Sequence, residues 1–337
     1  MKNYMYPMKL FPVLKDIVWG GTRLYSEYGK GGVTNKKIAE SWELAIHKNG
    51  MNIVENGDFA GISFEEVFDV SNGEIVMQDY KTKSRTPDKF PVLIKFIDAE
   101  QDLSVQVHPD NEYAMEHENE LGKTEMWYII DAAPGSKIVY GLKNSFTREQ
   151  LKSALADETQ SGKFVDCLEY IDVKAGDVYF IPAGLIHAIG KGILIAEVQQ
   201  NSDTTYRVYD YERLVGGKKR DLHIKKALDV CIKNNTDVSR EIIRNTDTGI
   251  NAGYSVELLA SCQYFTAKKY NISAEYEVKL TAEKISFNSI ICLDGSAKII
   301  FGGAEYNLRK GDSYFIPAGL GEYKISGSCV FLFVALD

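Results

Sequence analysis

Short runs of apolar residues with turn residues between them recur along most of the chain, and they predict strands rather than long helices. In the C-terminal third, the runs VKLTA, ISFNSIICL, AKIIF and CVFLFVAL lie between residues 278 and 336. Pieces of this length are typical of a small antiparallel barrel or jelly roll. We therefore predict a mainly β protein.

Two stretches interrupt the strand pattern with helical spacing. In TREQLKSALADE, Thr147 and Gln150 have the spacing of a capping box, and Leu151 with Leu155 forms an apolar face. In IKKALDVCIKNN, apolar residues recur from Ile224 at i, i+3, i+4, i+7 and i+8, and an Asn-Asn pair ends the run. We interpret both predicted helices as scaffold.

One twelve-residue segment occurs twice. GDVYFIPAGLIH at 176–187 recurs as GDSYFIPAGLGE at 311–322, with nine of twelve positions identical, which indicates an internal duplication. Each copy predicts a strand between a Gly-Asp turn and a Pro-Ala-Gly turn. A polar, turn-rich stretch near 240–252 predicts the domain boundary. We expect a metal-binding domain with helical insertions at 1–245 and a second, metal-free barrel at 246–337.

Composition and charge exclude several classes of protein. With 337 residues, 45% hydrophobic and 26% charged, the chain is typical of a soluble globular protein with two cores. A net charge of −8 argues against a nucleic-acid surface but not against a small anionic substrate. Apolar runs are too short for a membrane helix, and no signal-peptide core is present. Five scattered cysteines without C-x-x-C favour a reducing compartment. We predict a cytoplasmic monomer or homodimer without nucleic-acid or membrane partners.

Two imidazoles, a carboxylate and an amide form the strongest candidate for chemistry. Gln106 and His108 leave the same face of an extended strand in SVQVHPD, Glu125 follows in GKTEMWYI, and His187 closes the first copy of the repeat. These donors suit a borderline divalent metal such as zinc. The second copy has Glu322 where the first has His187, so we expect no metal there. The other three histidines lack such a context, and one of them, in EHENE, is expected in a solvated loop.

Charged residues accompany the candidate ligands. Lys95 lies in an otherwise apolar strand, where a lysine must be paired or functional. Lys123 precedes Glu125 by two residues, and Arg207 follows a strand on which Glu197 faces one side. Taken alone, Lys123 could be a solvated loop lysine and Arg207 part of a surface ion pair. Together with a divalent ion, these cations suit a phosphorylated, polyhydroxylated substrate.

The pattern G-D-x-x-x-x-P-x-G followed by a histidine resembles the second motif of the cupin superfamily. More closely, VLIKFIDA, SVQVHPD, GKTEMWYI, GDVYFIPAGLIHAI and EVQQNSDTTYRVYDYER resemble the type I mannose-6-phosphate isomerases in their short bacterial form. The resemblance begins at KLFPVLKDIVWGG and covers nearly the whole chain. It implies two cupin-type jelly-roll barrels with a few short helices. It also implies interconversion of mannose 6-phosphate and fructose 6-phosphate through a metal-stabilised cis-enediol.

The resemblance also implies roles for individual residues. It places the ligands of one Zn²⁺ per chain at Gln106, His108, Glu125 and His187, and active-site charged residues at Arg207, Lys123, Glu197 and Lys95. The long forms of the family carry a histidine where this chain has Gly122, so a role assigned to that histidine cannot apply here. As the base, we favour Lys123 over Glu197, because a neighbouring dication and Lys95 favour the neutral amine.

Two other functions remain open. Cupins with two histidines and a carboxylate also bind Fe(II) and activate oxygen, so a mononuclear dioxygenase is one alternative. The amide of Gln106 and the lysine-rich surroundings argue against it. A non-catalytic sugar-binding cupin is the other alternative, and it is expected only if the four ligands do not converge.

Overall fold

The computed structural model describes residues 3–32, 37–84, 86–143, 148–156, 161–231, 249–251 and 253–336. Strands dominate these residues, so the prediction of a mainly β protein is confirmed. The strands of the first part are β1 (Met8–Phe11), β2 (Val13–Lys15), β3 (Glu40–Leu44), β4 (Ile46–His47), β5 (Gly50–Met51), β6 (Ile53–Val54), β7 (Val92–Ala99), β8 (Val105–Val107), β9 (Glu125–Ala132), β10 (Lys137–Leu142), β11 (Leu168–Asp172), β12 (Val178–Ile181), β13 (His187–Ile189), β14 (Ile193–Gln200), β15 (Tyr206–Tyr209), β16 (Leu214–Val215) and β17 (Lys218–Lys219). The remaining strands are β18 (Gly249–Asn251), β19 (Tyr254–Cys262), β20 (Phe265–Ile272), β21 (Glu277–Ala282), β22 (Asn288–Phe301), β23 (Ala304–Arg309), β24 (Ser313–Ile316) and β25 (Gly321–Ala335). The α-helices are α1 (Arg23–Ser26), α2 (Phe64–Val70), α3 (Tyr80–Lys83), α4 (Asn111–Glu118), α5 (Arg148–Ala156), α6 (Ser161–Cys167) and α7 (Ile224–Val230).

Two antiparallel sheets form the first part of the molecule. One has the strand order β12-β9-β14-β7-β3-β2, and the other has the order β11-β10-β13-β8-β15. A hydrophobic cluster joins them, with Ile97, Ile129 and Ile195 from the first sheet and Ile138 and Ile189 from the second. The two sheets therefore face each other across a shared core.

Strand β7 is buried along its whole length, which explains its nearly continuous apolar sequence. Its side chains alternate between two environments, as the period of a strand requires. Ile94 and Phe96 pack into a core shared with the C-terminal sheet, whereas Ile97 packs between the first two sheets. Lys95 lies on the same face of β7 as Ile97, so it enters the space between those sheets.

The C-terminal sheet has ten strands, and it includes β1 and β6 from the N-terminal part of the chain. Strand β1 pairs with β24, with Met8 opposite Phe315. The first residues of the chain are thus hydrogen-bonded to the C-terminal sheet, a long-range pairing that no local pattern predicts. The division into 1–245 and 246–337 stays a prediction, and residues 240–248 lie outside the described part of the chain.

Both copies of the repeated segment form the predicted strand between two turns. These strands are β12 and β24. The turn before each strand has a glycine with positive φ, 90° at Gly176 and 87° at Gly311, a conformation that L side chains rarely adopt. The sequence identity of the two copies therefore reflects the same backbone conformation.

The helical predictions are confirmed where the structure describes them. Leu151 and Leu155 of α5 are buried, and α7 begins at Ile224. The capping residue Thr147 lies outside the described residues. The second helix ends at Val230, earlier than predicted, because Cys231 has an extended backbone. The prediction that the histidine of EHENE lies in a loop is wrong, because His117 lies in α4. His117 is exposed to solvent, as expected. No helix in the described residues is long and apolar enough to cross a membrane.

A buried ion pair connects the two parts of the molecule. Lys30 Nζ lies 2.8 Å from the carboxylate of Glu43, and both side chains are almost fully buried. Ser313 of the C-terminal sheet donates to Glu43 at 2.5 Å, and Lys30 donates to the carbonyl oxygen of Gly311 at the same distance. Ser41 also donates to this carboxylate at 2.6 Å, so Glu43 accepts hydrogen bonds from both parts of the chain.

Substitution of Glu43 by glutamine is expected to destabilise the protein by about 3–5 kcal/mol, because it leaves the ammonium of Lys30 buried without a counter-ion. The shift of the urea-unfolding midpoint measures this loss. Glu100→Gln is the matched control, because Glu100 pairs with Lys37 on the surface with both side chains about half exposed. That control should cost less than about 1 kcal/mol. Equal midpoints for the two variants would contradict the role assigned to the buried pair.

Candidate metal centre and substrate cavity

Three of the expected site residues lie side by side on the five-stranded sheet. Strand β8 runs between β13 and β15, and the register places Gln106 opposite His187 on one side and opposite Arg207 on the other. Side chains opposite each other on neighbouring strands are separated by about 5 Å at their Cβ atoms. The sheet thus forms one row from His187 through Gln106 to Arg207.

A second row of functional side chains comes from the six-stranded sheet. Glu197 of β14 is opposite Lys95 of β7 and opposite Trp127 of β9. Glu125 lies two residues before Trp127, on the same face of β9. Trp127 Nε1 lies 2.8 Å from Glu197 Oε2 and 3.1 Å from Glu125 Oε2. The indole therefore connects the two carboxylates.

His108, Glu125 and His187 converge where the two sheets meet. His108 Nε2 lies 3.1 Å from Glu125 Oε1, and His187 Nε2 lies 3.8 Å from Glu125 Oε2. One possible ligand atom from each residue lies within 4.8 Å of the other two, and all three residues are buried. Donors about 2.1 Å from one ion lie about 3.4 Å apart in tetrahedral geometry. The contacts of 3.1 and 3.8 Å bracket that separation, so a small inward shift of these side chains brings all three to coordination distance.

The hydrogen bonds of the two imidazoles fit a metal ion. His108 Nδ1 lies 2.9 Å from the carbonyl oxygen of Thr204, and His187 Nδ1 lies 2.9 Å from that of Leu185. Because a carbonyl oxygen only accepts, each Nδ1 carries a proton, and each Nε2 presents its lone pair. Both Nε2 atoms are buried and have no hydrogen-bond partner among the described residues. A lone pair facing a carboxylate needs a cation between them, and backbone carbonyls commonly orient ligand histidines in this way.

Burial and nearby charges favour the neutral form of the His108 and His187 imidazoles. Burial, with a smaller contribution from Lys123, lowers the pKa of His108 to about 3. Burial also lowers the pKa of His187. For Glu125, burial raises the pKa, but Lys123 and His108 outweigh it and hold that pKa well below its usual range. Neutral imidazoles and an ionised carboxylate are the forms that bind a metal.

Two lysines lie beside these residues. Lys123 Nζ lies 2.9 Å from Glu125 Oε1. Lys95 Nζ lies 3.5 Å from Glu197 Oε1 and 3.6 Å from Glu40 Oε2, with only 4% of its side chain exposed. Lys95 is therefore paired with two carboxylates, as expected for a lysine in an apolar strand. Burial and the neighbouring Glu125 raise the pKa of Glu197 to about 7, against the opposing effect of Lys95.

A cavity of about 300 Å³ opens beside this cluster. It is lined by all five of the expected residues that are not in the buried triad: Lys95, Gln106, Lys123, Glu197 and Arg207. The structure thus brings the eight site residues predicted from the sequence together, three in a buried cluster and five around the adjoining cavity. The metal and catalytic roles assigned to them stay predictions.

Sequence reasoning missed three charged residues that also line this cavity, Glu40, Asp203 and Arg220. Asp203 lies within the motif QQNSDTTYR, so its position in that motif was the available clue. Glu40 could have been found as the counter-ion that the buried Lys95 requires. For Arg220 no local pattern existed, because it reaches the cavity through the hairpin that follows β15.

Comparison with known proteins identifies the family. Residues 8–163 match the family model "Phosphomannose isomerase type I, catalytic domain", and residues 255–336 match "Mannose-6-phosphate isomerase, cupin domain". The chain is 39% identical to mannose-6-phosphate isomerase ManA of Bacillus subtilis over 327 residues, covering 95% of this chain and 96% of that protein. It belongs to the type I phosphomannose isomerases. A mannose-6-phosphate isomerase of Streptococcus mutans is 37% identical, with 95% of both chains covered.

Solved structures agree with this family assignment. The crystal structure of the Bacillus subtilis mannose 6-phosphate isomerase superposes with a TM-score of 0.84 at 33% sequence identity, covering 98% of this chain and 99% of that one. The expected resemblance to the short bacterial type I phosphomannose isomerases and to a cupin-like fold is therefore confirmed.

Proposed function

We propose that this protein is an aldose–ketose isomerase that interconverts mannose 6-phosphate and fructose 6-phosphate through a cis-enediol. The observation that carries the proposal is the convergence of His108, Glu125 and His187 at a cavity lined by lysine and arginine side chains. Membership of the type I phosphomannose isomerases supports the same substrate pair. Neither a dioxygenase nor a non-catalytic sugar-binding protein is favoured.

We propose that the buried triad holds one Zn²⁺ per chain and that Gln106 is the fourth ligand. Gln106 supports this role because it is opposite His187 in the sheet register and lines the adjoining cavity. An amide oxygen completes a donor set of two nitrogens and two oxygens, which zinc accepts. When bound, the ion would act as a Lewis acid that favours loss of a proton beside a carbonyl group.

The other side chains would bind the substrate and move protons. Arg207 suits an oxyanion or phosphate, because its charge cannot be lost and its donors form a planar fork. Lys123 is our proposed base for proton transfer between C2 and C1, and it lies on the wall of the cavity. Glu197 competes for that role. Its hydrogen bond with Trp127 and its contact with Lys95 also suit it to orient the surrounding groups. Asp203 lines the same cavity and adds a further acceptor for sugar hydroxyls.

The purified, metal-loaded protein is expected to convert mannose 6-phosphate into fructose 6-phosphate in a coupled assay, without consuming oxygen. A simultaneous oxygen-electrode measurement separates the isomerase from an Fe(II) dioxygenase. Unchanged mannose 6-phosphate together with oxygen uptake on any sugar would contradict the proposal. A cytoplasmic location and a monomeric or homodimeric state stay predictions.

A further inference from the structure

The chain makes a detour between Asp210 and His223 and then returns to Arg207. Strand β15 ends at Tyr209, and the next residues leave the sheet. His223 comes back beside Arg207, donating its backbone N–H to the carbonyl oxygen of Arg207 at 2.7 Å. His223 Nδ1 also accepts the backbone N–H of Arg207 at 3.2 Å. The start and the end of the detour are therefore fixed at one residue of the cavity wall.

The outer part of the detour is a small exposed hairpin. Strands β16 and β17 pair, with Leu214 opposite Lys219 and Val215 opposite Lys218, and all four residues are exposed. Gly216 and Gly217 form the two-residue turn, with positive φ at both positions, as a tight hairpin of this kind requires. The hairpin contributes no core, so its structural effect is to place the residue that follows it.

That residue is Arg220, which lines the same cavity as Arg207. Its guanidinium forms an ion pair with Asp210, the first residue of the detour. Arg220 Nε donates to Asp210 Oδ2 at 2.7 Å, and Nη2 donates to Oδ1 at 2.5 Å. Asp210 is buried, whereas the Arg220 side chain is 21% exposed. This paired geometry fixes the plane of the guanidinium and leaves Nη1 outside the pair.

At the arginine end of the cavity, Arg220 is paired with Asp210, whereas Arg207 has no ion pair among the described residues. Arg207 Nη1 donates to the carbonyl oxygen of Asp221 at 2.9 Å, and its buried Nε has no hydrogen-bond partner among the described residues. Among the residues that the structure describes, no carboxylate lies within ion-pair distance of Arg207. Asp210, a nearby carboxylate, is paired with Arg220. Burial and the charge of Arg220 lower the pKa of Arg207, against the opposing effects of Asp210 and Asp221. Two adjacent guanidiniums facing one cavity suit a dianion with several acceptor oxygens.

We propose that Arg220, positioned by Asp210, forms with Arg207 the phosphate-binding end of the substrate cavity and selects phosphorylated over neutral sugars. This assignment rests on the proposed isomerase function for its physiological substrate. Its physical content, binding of a phosphate dianion by this arginine pair, is independent of the reaction. Arg220 is the binding residue, and Asp210 acts through it.

Arg220→Met is expected to raise the KM for mannose 6-phosphate by about 10- to 100-fold, the loss typical of a charge-assisted hydrogen bond in a partly buried site. The fold-change in kcat should be at least about tenfold smaller than the fold-change in KM, because the phosphate group takes no part in the reaction. Lys218→Met is the matched control. It removes one positive charge from the same hairpin at an exposed position that does not line the cavity, so its KM should stay within about twofold of the wild type.

Asp210→Asn tests the positioning role. It should raise KM by about 3- to 10-fold, since Arg220 stays present but loses its anchor. The double variant Asp210→Asn/Arg220→Met should be no worse than Arg220→Met alone, because both changes remove the same interaction. Strictly additive effects would show that Asp210 acts on something other than Arg220 and would overturn its positioning role.

A binding measurement keeps the test independent of turnover. Binding of inorganic phosphate is measured by line broadening in ³¹P NMR, with metal-free and with metal-loaded protein. Both forms of the wild type should bind phosphate. Arg220→Met should weaken that binding at least about tenfold. Phosphate binding that vanishes without metal, or that Arg220→Met leaves unchanged, would overturn the arginine site. Wild-type protein that binds phosphate through Arg220 but does not isomerise mannose 6-phosphate would refute the proposed function and leave the anion site standing.

Discussion

Replacement of His187 by alanine is expected to remove the metal and to lower kcat/KM for mannose 6-phosphate by about 10³-fold or more. The reason is geometric. His187 supplies one of three buried donors around a single position, and its Nδ1 is already fixed by the carbonyl oxygen of Leu185. Metal content by elemental analysis and a coupled assay on the same preparation measure both effects.

His117→Ala is the matched control for that variant. His117 is exposed on α4 and stacks on Tyr113, outside the cavity. It should keep its metal and its activity within about twofold, as surface substitutions usually do. A His187→Ala protein that keeps one ion per chain and normal turnover would show that the buried triad is not the metal site.

Replacement of Lys123 by methionine is expected to lower kcat by about 10²- to 10⁴-fold while the metal stays bound, because a positioned proton-transfer group contributes on this scale. Lys123 Nζ contacts Glu125, but Lys123 is not among the proposed ligands. The measurement is kcat together with metal content. Methionine keeps the length and apolar volume of the side chain, so the change removes the amine with little loss of packing.

Glu197→Gln provides the comparison, because Glu197 is the competing base. If Lys123 is the base, Glu197→Gln should retain more activity than Lys123→Met, as its amide can still accept the hydrogen bond of Trp127. A Lys123→Met protein with normal metal content and near-full turnover would exclude Lys123 as the base. A much larger loss in Glu197→Gln would assign proton transfer to the carboxylate instead.

Local patterns predicted the strands of the site well because their periodicity reports burial directly. Lys95 on β7 stands out as a charged residue on a face that is otherwise apolar. Glu197 on β14 follows Ile193 and Ile195 on one face, and the register places it opposite Lys95. Gln106 and His108 could be grouped from their spacing alone. The two copies of the repeat gave strands and turns of the same kind because they share nine of twelve residues.

Other features depended on contacts that the sequence does not encode locally. The runs ISFNSIICL and AKIIF were expected as separate strands, but they form the single strand β22, with an irregularity between Cys292 and Asp294. A positive φ of 76° at Gly295 is accommodated within the strand rather than in a turn. Pairing of β1 with β24 joins residues about three hundred positions apart, which only the packed structure can select.

The same limit applies to the substrate cavity. Arg220 reaches it because a hairpin returns the chain to His223 and because Asp210 holds its guanidinium. Neither contact has a periodic pattern, so sequence reasoning found Arg207 and missed its neighbour. The candidate metal ligands were easier to find because few residue types bind zinc, whereas charged residues proposed to bind a substrate resemble ordinary surface charges.

Stoichiometric titration of zinc into metal-free protein tests the central claim most directly. If one ion held by Gln106, His108, Glu125 and His187 enables the isomerisation, mannose 6-phosphate turnover should rise in proportion to bound zinc and reach its maximum at one ion per chain. Full turnover by protein shown to contain no metal, or turnover that does not follow the occupancy of a single site, would contradict the account.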